Sequence, residues 1–191
     1  MHKIHVTDGL VLQKRGVGEG SVSVTLLTRE LGVLYARAQS ARAEKSKLRY
    51  GLEPLTSARF SLVRGKQLWR LTGAEEISRA FASTSTKKRM ALGRVSKLLL
   101  RLITGEEPVP ALYQTVAEGF DAVCTCPLQA LEATEIVLVL RVLSQLGYLP
   151  RSEALAPFVD GAFTLEVSAE ALKRRALLVR AINESLGATG L

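Results

Sequence analysis

The sequence predicts an α+β protein in which a small five-stranded β-barrel precedes an α-helical domain. Apolar and polar residues alternate along the first 75 residues, as in half-buried strands, and beyond Glu75 the apolar period changes to that of helices. A chain of 191 residues with 47% hydrophobic residues can bury a core and suits one small and one medium domain. We therefore predict a barrel domain over residues 1–78 and a helical domain over residues 79–191.

The predicted strands are separated by turn residues. In SVSVTLLT, which starts at Ser21, alternation places Val22, Val24 and Leu26 on one face. The glycine-rich RGVGEG, residues 15–20, predicts the turn before this strand. Strands are expected over residues 4–14, 21–28, 33–38, 55–63 and 67–71. Five mostly antiparallel strands of this length are typical of a small barrel, for which the oligonucleotide-binding (OB) fold is the leading candidate and an SH3-like barrel the alternative.

The second half predicts a helical bundle. Residues 87–104 carry an apolar stripe beside a basic one, and Pro108 and Pro110 are expected to open a second helix that runs to about residue 122. Residues 128–146 are apolar on nearly every face, which predicts the central helix of the bundle, ended by Gly147. Ser168 is expected to be the N-cap of one last helix.

Net positive charge is confined to one half of the chain. Residues 1–101 contain 20 Lys and Arg against 7 Asp and Glu, whereas residues 102–191 contain 6 against 11. A basic domain next to a neutral or acidic one indicates a polyanionic partner for the first half. The segment ARAQSARAEKSKLRYGLEP, residues 36–54, is basic and offers little that a core could bury, so it is interpreted either as a solvated loop or as a cationic binding segment.

On an OB fold, strands 2 and 3 and the loops joining strands 1 to 2 and 4 to 5 meet single-stranded nucleic acid. Lys14 and Arg15 are expected in the first of these loops, and Arg64 and Lys66 in the second. Tyr35 and Arg37 share one face of strand 3, where a ring could stack on a base, although a core position for Tyr35 stays open. The basic stripe of the first helix is either part of this surface or simply solvated. The candidate contacts are Lys14, Arg15, Tyr35, Arg37, Arg42, Lys45, Lys47, Arg49, Arg64, Lys66, Arg70, Lys87, Arg94, Lys97 and Arg101.

The sequence shows no catalytic set and no metal site. The GVGEG stretch, residues 16–20, leads into a strand rather than a helix, so no helix N-terminus is available to hold a phosphate. Cys124 and Cys126 have no second pair of ligands, so we expect no zinc and no other cofactor. The thiols fit a reducing cytoplasm, and the N-terminus lacks the apolar stretch of a signal peptide. We expect a non-enzymatic, cytoplasmic, nucleoid-associated protein without a membrane span.

Residues 26–75 resemble the N-terminal domain of the bacterial RecO family. The similarity consists of a Thr and Gly turn, a strand, a basic segment at residues 40–42, a Leu and Pro pair at Leu52 and Pro54, and a closing hairpin. LGYLP, residues 146–150, is similar to the element that ends a central helix in that family's second domain, and Arg141 matches an arginine that often precedes this element.

The resemblance implies a recombination mediator with no enzymatic activity. Such a protein binds single- and double-stranded DNA, anneals complementary strands, and works with RecR to load RecA onto DNA coated by single-stranded DNA-binding protein. The acidic, apolar C-terminal tail of that coating protein docks on the helical domain. Many members carry a four-cysteine zinc element in this domain, but residues 149–191 contain no cysteine.

Two other functions stay open on the sequence. One is a general single-stranded nucleic-acid binding protein, for RNA or DNA. The other is an adaptor whose basic face meets an acidic protein. Competition among RNA, single-stranded DNA and duplex, and the salt dependence of binding, would separate them.

Overall fold

The computed structural model describes residues 3–41, 46, 48–103 and 105–188, with the side chains of residues 49, 50, 80 and 82 excluded. The chain divides into two compact units. The first contains residues 1–85 and 96–110, and the second contains residues 86–95 and 111–191. The division predicted between residues 78 and 79 stays a prediction.

The first unit is a closed five-stranded barrel with the strand order β1-β2-β3-β5-β4. All neighbouring strands are antiparallel except β3 and β5, which are parallel. This arrangement is the OB fold, and it excludes the alternative of an SH3-like barrel. The strands are β1 (Ile4–Val17), β2 (Ser21–Thr28), β3 (Gly32–Ala38), β4 (Ser57–Arg64) and β5 (Trp69–Ser78).

The barrel core consists of the inward-facing residues that strand alternation predicts. Val22, Val24 and Leu26 of β2 are all buried, as are Phe60 of β4 and Trp69 of β5. Successive strand residues point to opposite faces, so the residues between these positions are available to the outer surface.

The first strand is longer than predicted, and this corrects the placement of two candidate contacts. β1 continues to Val17, so Lys14 and Arg15 lie on the strand rather than in the following loop. The extension exists because residues 13–17 pair with residues 21–25 of β2 after a bulge between Val11 and Gln13. The turn is confined to residues 18–20, where Gly18 adopts a φ of +63° that favours glycine.

The basic segment between β3 and β4 contributes to the core, contrary to the expectation that it had little to bury. Ala41 is 4% exposed and Leu52 is fully buried, and both belong to the barrel core. Between them lies the short helix α1 (Leu48–Gly51), which the sequence interpretation missed because four residues are too few to show a helical period.

The helical elements after the barrel match the predicted order in most places. The first two predicted helices begin within two residues of their predicted starts, and the predicted central helix is divided into a 3₁₀ turn and an α-helix. The elements are α2 (Ala80–Ser83), α3 (Thr86–Leu102), α4 (Pro110–Thr125), a 3₁₀ turn (Leu128–Ala130), α5 (Leu131–Gln145), α6 (Ala156–Val159), α7 (Leu165–Lys173) and α8 (Arg175–Ala188).

Helix α5 is the centre of the second unit and packs against α6, α7 and α8. After α5, Gly147 has a φ of +76°, which explains why a glycine follows the helix. The prediction of Ser168 as N-cap is wrong: Thr164 is the N-cap of α7, and its Oγ1 accepts from the Val167 amide at 3.2 Å. Ser168 lies one turn inside the helix, where it is buried and hydrogen-bonded to Thr134 at 3.1 Å.

Arg141 of α5 is buried, with only 4% of the residue exposed, and organises the chain that follows α6. Its guanidinium lies over the ring of Phe163, 3.9 Å from the centroid. Burial lowers the pKa of Arg141 from its ordinary value. The guanidinium donates to the carbonyl oxygens of Phe158 at 3.0 Å, Asp160 at 3.2 Å, Gly161 at 2.7 Å and Ala162 at 3.0 Å.

Among the helices that the structure describes, none is both long enough and apolar enough to span a membrane.

Candidate nucleic-acid interface

Three arginines lie in one row on the outer face of the barrel. Arg15 of β1 pairs with Ser23 of β2, Ser23 with Arg37 of β3, and Arg37 with Arg70 of β5. Neighbouring strands are about 4.8 Å apart, so the row places two arginines side by side and the third two strands away. We call Arg15, Arg37 and Arg70 the arginine row.

The arginine row is solvent-exposed and has no carboxylate partner among the residues that the structure describes. All three residues are exposed, and within the described part of the chain none of them forms an ion pair. Three unpaired cations on one sheet face repel one another and attract anions. A chain of phosphates is a suitable ligand for such a face because each phosphate can approach one guanidinium.

Tyr35 lies on the same face as the arginine row, two residues before Arg37. Its side chain is 51% exposed, so the structure places it at the surface and not in the core. Trp69 and Phe60, by contrast, are buried. Tyr35 can therefore offer its ring to a base that stacks on the outer face.

Lys14 and Arg64 belong to a different row, which faces inward. Lys14 pairs with Val24, Val24 with Ala36, Ala36 with Trp69, and Trp69 with Arg64. The middle three residues of this row are buried, and the two cations are at its ends. They are therefore separated from the arginine row by strand alternation.

Both of these inward-row cations are held by carboxylates. Lys14 donates to Glu53 at 2.7 Å, and Arg64 forms an ion pair with Glu106 while its guanidinium lies 4.9 Å from the centre of the Trp69 ring. Lys14 and Arg64 can contact a phosphate only after competition with Glu53 and Glu106. Their charge is thus less available than that of the arginine row.

Lys66 is in the loop between β4 and β5, as predicted, and is exposed. The loop is tight, since the Gly65 amide donates to the Leu68 carbonyl at 3.1 Å. A Cβ at Gly65 would overlap that carbonyl oxygen, so glycine is required for this turn. This turn carries Lys66 and Leu68 and leads into the start of β5.

The four predicted cations of helix α3 are exposed, and one of these four, Arg94, is paired with a carboxylate. Arg94 donates to both carboxylate oxygens of Glu135, at 2.7 and 2.6 Å, and these hydrogen bonds raise the pKa of the Arg94 guanidinium. Lys87 and Arg94 belong to the second unit, whereas Lys97 and Arg101 belong to the first. The helix thus contributes cations to both units.

Four predicted contacts cannot be placed on this surface. Arg42, Lys45 and Lys47 lie outside the described residues, and so does the side chain of Arg49, whose backbone belongs to α1.

Sequence interpretation missed one exposed apolar residue at this face, Leu68. It is 54% exposed and precedes buried Trp69 and exposed Arg70. The alternation of Trp69 and Leu71 inward predicts that Leu68 and Arg70 point outward, so the signal was present in the sequence. The predicted strand over residues 67–71 contained Leu68, whereas in the structure β5 begins at Trp69 and Leu68 lies in the turn before it.

Comparison with known proteins gives two family matches. The model described as "Recombination protein O N terminal" matches residues 1–80, which include the whole barrel, and the model described as "Recombination protein O C terminal" matches residues 86–156.

Individual proteins give the same result. The chain is 30% identical over 148 residues to DNA repair protein RecO of Heliobacterium modesticaldum (strain ATCC 51547 / Ice1), which covers 78% of this chain and 53% of that protein. It is 33% identical over 143 residues to DNA repair protein RecO of Haemophilus influenzae (strain 86-028NP), covering 73% and 58%. The chain spans about half the length of the curated relatives that it matches.

Proposed function

Because the chain belongs to the RecO family of DNA repair proteins, we propose that it is a non-enzymatic recombination mediator that binds single- and double-stranded DNA and anneals complementary strands. The arginine row is the observation that carries this proposal. It lies on an OB barrel, it is exposed, and within the described residues it has no carboxylate partner. A surface of this kind binds the sugar-phosphate backbone and depends little on base sequence.

Annealing requires that two polyanions come together. The repulsion between the two strands is reduced where protein cations lie between or beside them. Binding also releases the counterions that were condensed on each strand. The arginine row can neutralise one strand on the sheet face. The basic segment of residues 36–54 and the α3 cations Lys87, Lys97 and Arg101 are proposed to meet the second strand or a further part of the first.

The proposed partners are RecR, single-stranded DNA-binding protein and, indirectly, RecA. The second unit has a surface cavity of about 450 Å³ that supports binding of the acidic, apolar tail of single-stranded DNA-binding protein. Tyr148, Leu155 and Leu177 supply apolar walls, and Arg180 supplies a cation for a carboxylate. The hydroxyl of Ser185, which is among the cavity-lining residues, is buried and lacks a hydrogen-bond partner among the described residues.

The arginine row can be tested by replacing its three residues with glutamine. We expect the Arg15→Gln/Arg37→Gln/Arg70→Gln variant to fold normally, because all three side chains are at the surface. Log affinity falls with log salt concentration, and on single strands each phosphate contact contributes about 0.7 to the steepness of that fall. The slope of the triple variant should therefore be shallower than that of the parent by about 2. Fluorescence anisotropy of a labelled oligonucleotide over a series of salt concentrations measures it.

The matched control is Arg59→Gln/Arg174→Gln/Arg175→Gln, which removes the same net charge. These arginines are already paired with Asp8, Glu170 and Glu132. We expect the control to keep most of the parental slope. A triple variant of the arginine row that matches the parent in affinity and slope would overturn the proposal, and stronger binding to RNA than to DNA would favour a general nucleic-acid binding protein.

A further inference from the structure

We propose that Glu53 and Glu106 are internal competitors of DNA that speed its release from the barrel. Their carboxylates take the place of backbone phosphates on two cations, Lys14 and Arg64. The inference rests on the proposed function, because it needs DNA as the ligand of the barrel. It goes further by giving two acidic residues a part in DNA turnover, whereas the proposed function uses cations alone.

Each carboxylate occupies its cation in the way that a phosphate would. Glu53 accepts from the Lys14 ammonium at 2.7 Å, and Glu106 forms an ion pair with Arg64. Ammonium and guanidinium groups make charge-assisted hydrogen bonds to carboxylates and to phosphates alike. A cation of this kind therefore exchanges one anionic oxygen for another when it contacts DNA.

The backbone holds both glutamates beside the barrel. Glu53 directly follows Leu52, which is fully buried in the barrel core. Next to Glu106, the Glu107 carbonyl lies so close to β3 that a Cβ at Gly32 would be 2.4 Å from its oxygen. Each carboxylate thus stays within reach of its cation after a phosphate has displaced it. Such tethering gives the carboxylate a high effective concentration, so that it can bind the cation again.

The two ion pairs adjoin the arginine row. Lys14 directly precedes Arg15 in β1. Arg64 directly follows Val63, which pairs with Arg70 across the β4–β5 ladder. A strand that is bound to the arginine row therefore brings its next phosphates close to both pairs, and the tether of the backbone raises their effective concentration there.

Both ion pairs are open to solvent, so the DNA strand can displace the glutamates. The side chains of Glu53 and Glu106 are 49% and 40% exposed. Exposed ion pairs contribute little free energy, because water and salt screen them. The exchange is therefore reversible, and the pairs weaken DNA binding without preventing it.

Competition of this kind serves a protein that anneals strands and must then release the duplex. When thermal motion separates a phosphate from Lys14 or Arg64, the tethered glutamate pairs with the cation. The phosphate then finds its site occupied, which slows rebinding and speeds dissociation of the whole strand. The two glutamates thus trade affinity for turnover.

The test replaces each glutamate with glutamine, which has nearly the same size but no charge. We expect Glu106→Gln to bind an oligothymidine about two- to fivefold more tightly than the parent, the factor that an exposed ion pair contributes. Glu53→Gln should act in the same direction. Fluorescence anisotropy measures the affinity, and a stopped-flow chase with unlabelled DNA should show that most of the gain is a slower dissociation.

The matched control is Glu76→Gln, because removal of any acidic residue makes the protein more basic. Glu76 also belongs to the barrel unit, also pairs with an arginine, Arg79, and is similarly exposed at 36%. Its replacement measures the general effect of charge on DNA binding. The gain in Glu106→Gln has to exceed the gain in this control.

A double-mutant cycle identifies the cation for which Glu106 competes. In an Arg64→Gln protein, the further change Glu106→Gln should raise affinity no more than the control does, because the cation is gone. A full gain without Arg64 would overturn the inference. The fluorescence of the single tryptophan, Trp69 in the barrel core, verifies that each variant is folded.

The outcomes distinguish this inference from the proposed function. If the glutamine variants bind and release DNA like the control while the arginine-row variant binds weakly, the competition is refuted and the proposed function stands. If the arginine-row variant also binds like the parent, both proposals fail together.

Discussion

Replacement of Arg141 by methionine should destabilise the second unit more than any surface substitution in that unit does. The guanidinium donates to four backbone carbonyls, and none of these four acceptors is a carboxylate. The bonds therefore fix the backbone of residues 158–162 and do not neutralise the charge of the arginine. Methionine has a similar length and flexibility and can fill most of the volume. It cannot donate a hydrogen bond, and the four carbonyls lose their partner.

The size of the effect follows from how accessible these carbonyls are. The bond to Phe158 is buried, and a buried acceptor without a partner costs about 1–3 kcal/mol. The other three bonds are part-buried, so water can replace the guanidinium and each loss costs about 0.5–1 kcal/mol. Loss of the contact with Phe163 adds about 0.5–1 kcal/mol. The expected destabilisation is about 3–7 kcal/mol, which lowers Tm by at least about 12 °C for a unit of this size.

Two spectroscopic probes assign the effect to one unit. Far-UV circular dichroism follows the helices, most of which lie in the second unit, whereas Trp69 fluorescence follows the barrel core. We expect Arg141→Met to lower the Tm of the helical signal and to leave the Trp69 transition close to that of the parent. The control Arg175→Met removes an exposed ion pair with Glu132 and should cost less than about 1 kcal/mol. A loss below about 1 kcal/mol in Arg141→Met would show that water replaces the guanidinium without penalty and would refute the reasoning.

Two further predictions concern the barrel unit. Alanine at Arg42, Lys45, Lys47 and Arg49 should leave the Tm nearly unchanged and slow strand annealing, because surface charges add little to folding but offset the repulsion between two DNA strands; an annealing assay with fluorescent complementary oligonucleotides measures this, and parental annealing by a folded variant would make the segment an ordinary loop. Gly32→Ala should destabilise the barrel by about 2 kcal/mol or more, because Gly32 has a φ of +68° and a Cβ there would overlap the Glu107 carbonyl; urea unfolding followed by Trp69 fluorescence tests it, and parental stability would indicate that the 106–107 backbone moves away without cost.

The sequence by itself determined the number and order of the barrel strands and the approximate bounds of the first four, whereas β5 continues to Ser78 instead of ending at Leu71. Alternation in β2 assigned Val22, Val24 and Leu26 to the core, because a strand that is buried on one face must repeat with a period of two. The same local rule placed Arg37 and Tyr35 on one face. The nearly uniform apolarity of residues 128–146 predicted a central helix, because only a helix surrounded by others can bury every face.

Local rules were less successful at the ends of elements. β1 continues through a charged pair, Lys14 and Arg15, because its partner β2 supplies hydrogen bonds there. Ser168 has the residue type of an N-cap, but tertiary packing places it inside α7 against Thr134. In both cases the deciding contact joins residues that are distant in sequence, which a local pattern does not contain.

Only the tertiary structure decided which cations are available to a ligand. The sequence offered fifteen candidate contacts and no means of telling which of the cations are paired with carboxylates. Three of them are ion-paired with glutamates at least 39 positions away: Lys14 with Glu53, Arg64 with Glu106 and Arg94 with Glu135. The pairing of Arg37 with Arg70 comes from the parallel contact between β3 and β5. The physical reason is that a side chain's charge and direction are local properties, whereas its neutralisation and its neighbours across a sheet depend on how the barrel closes.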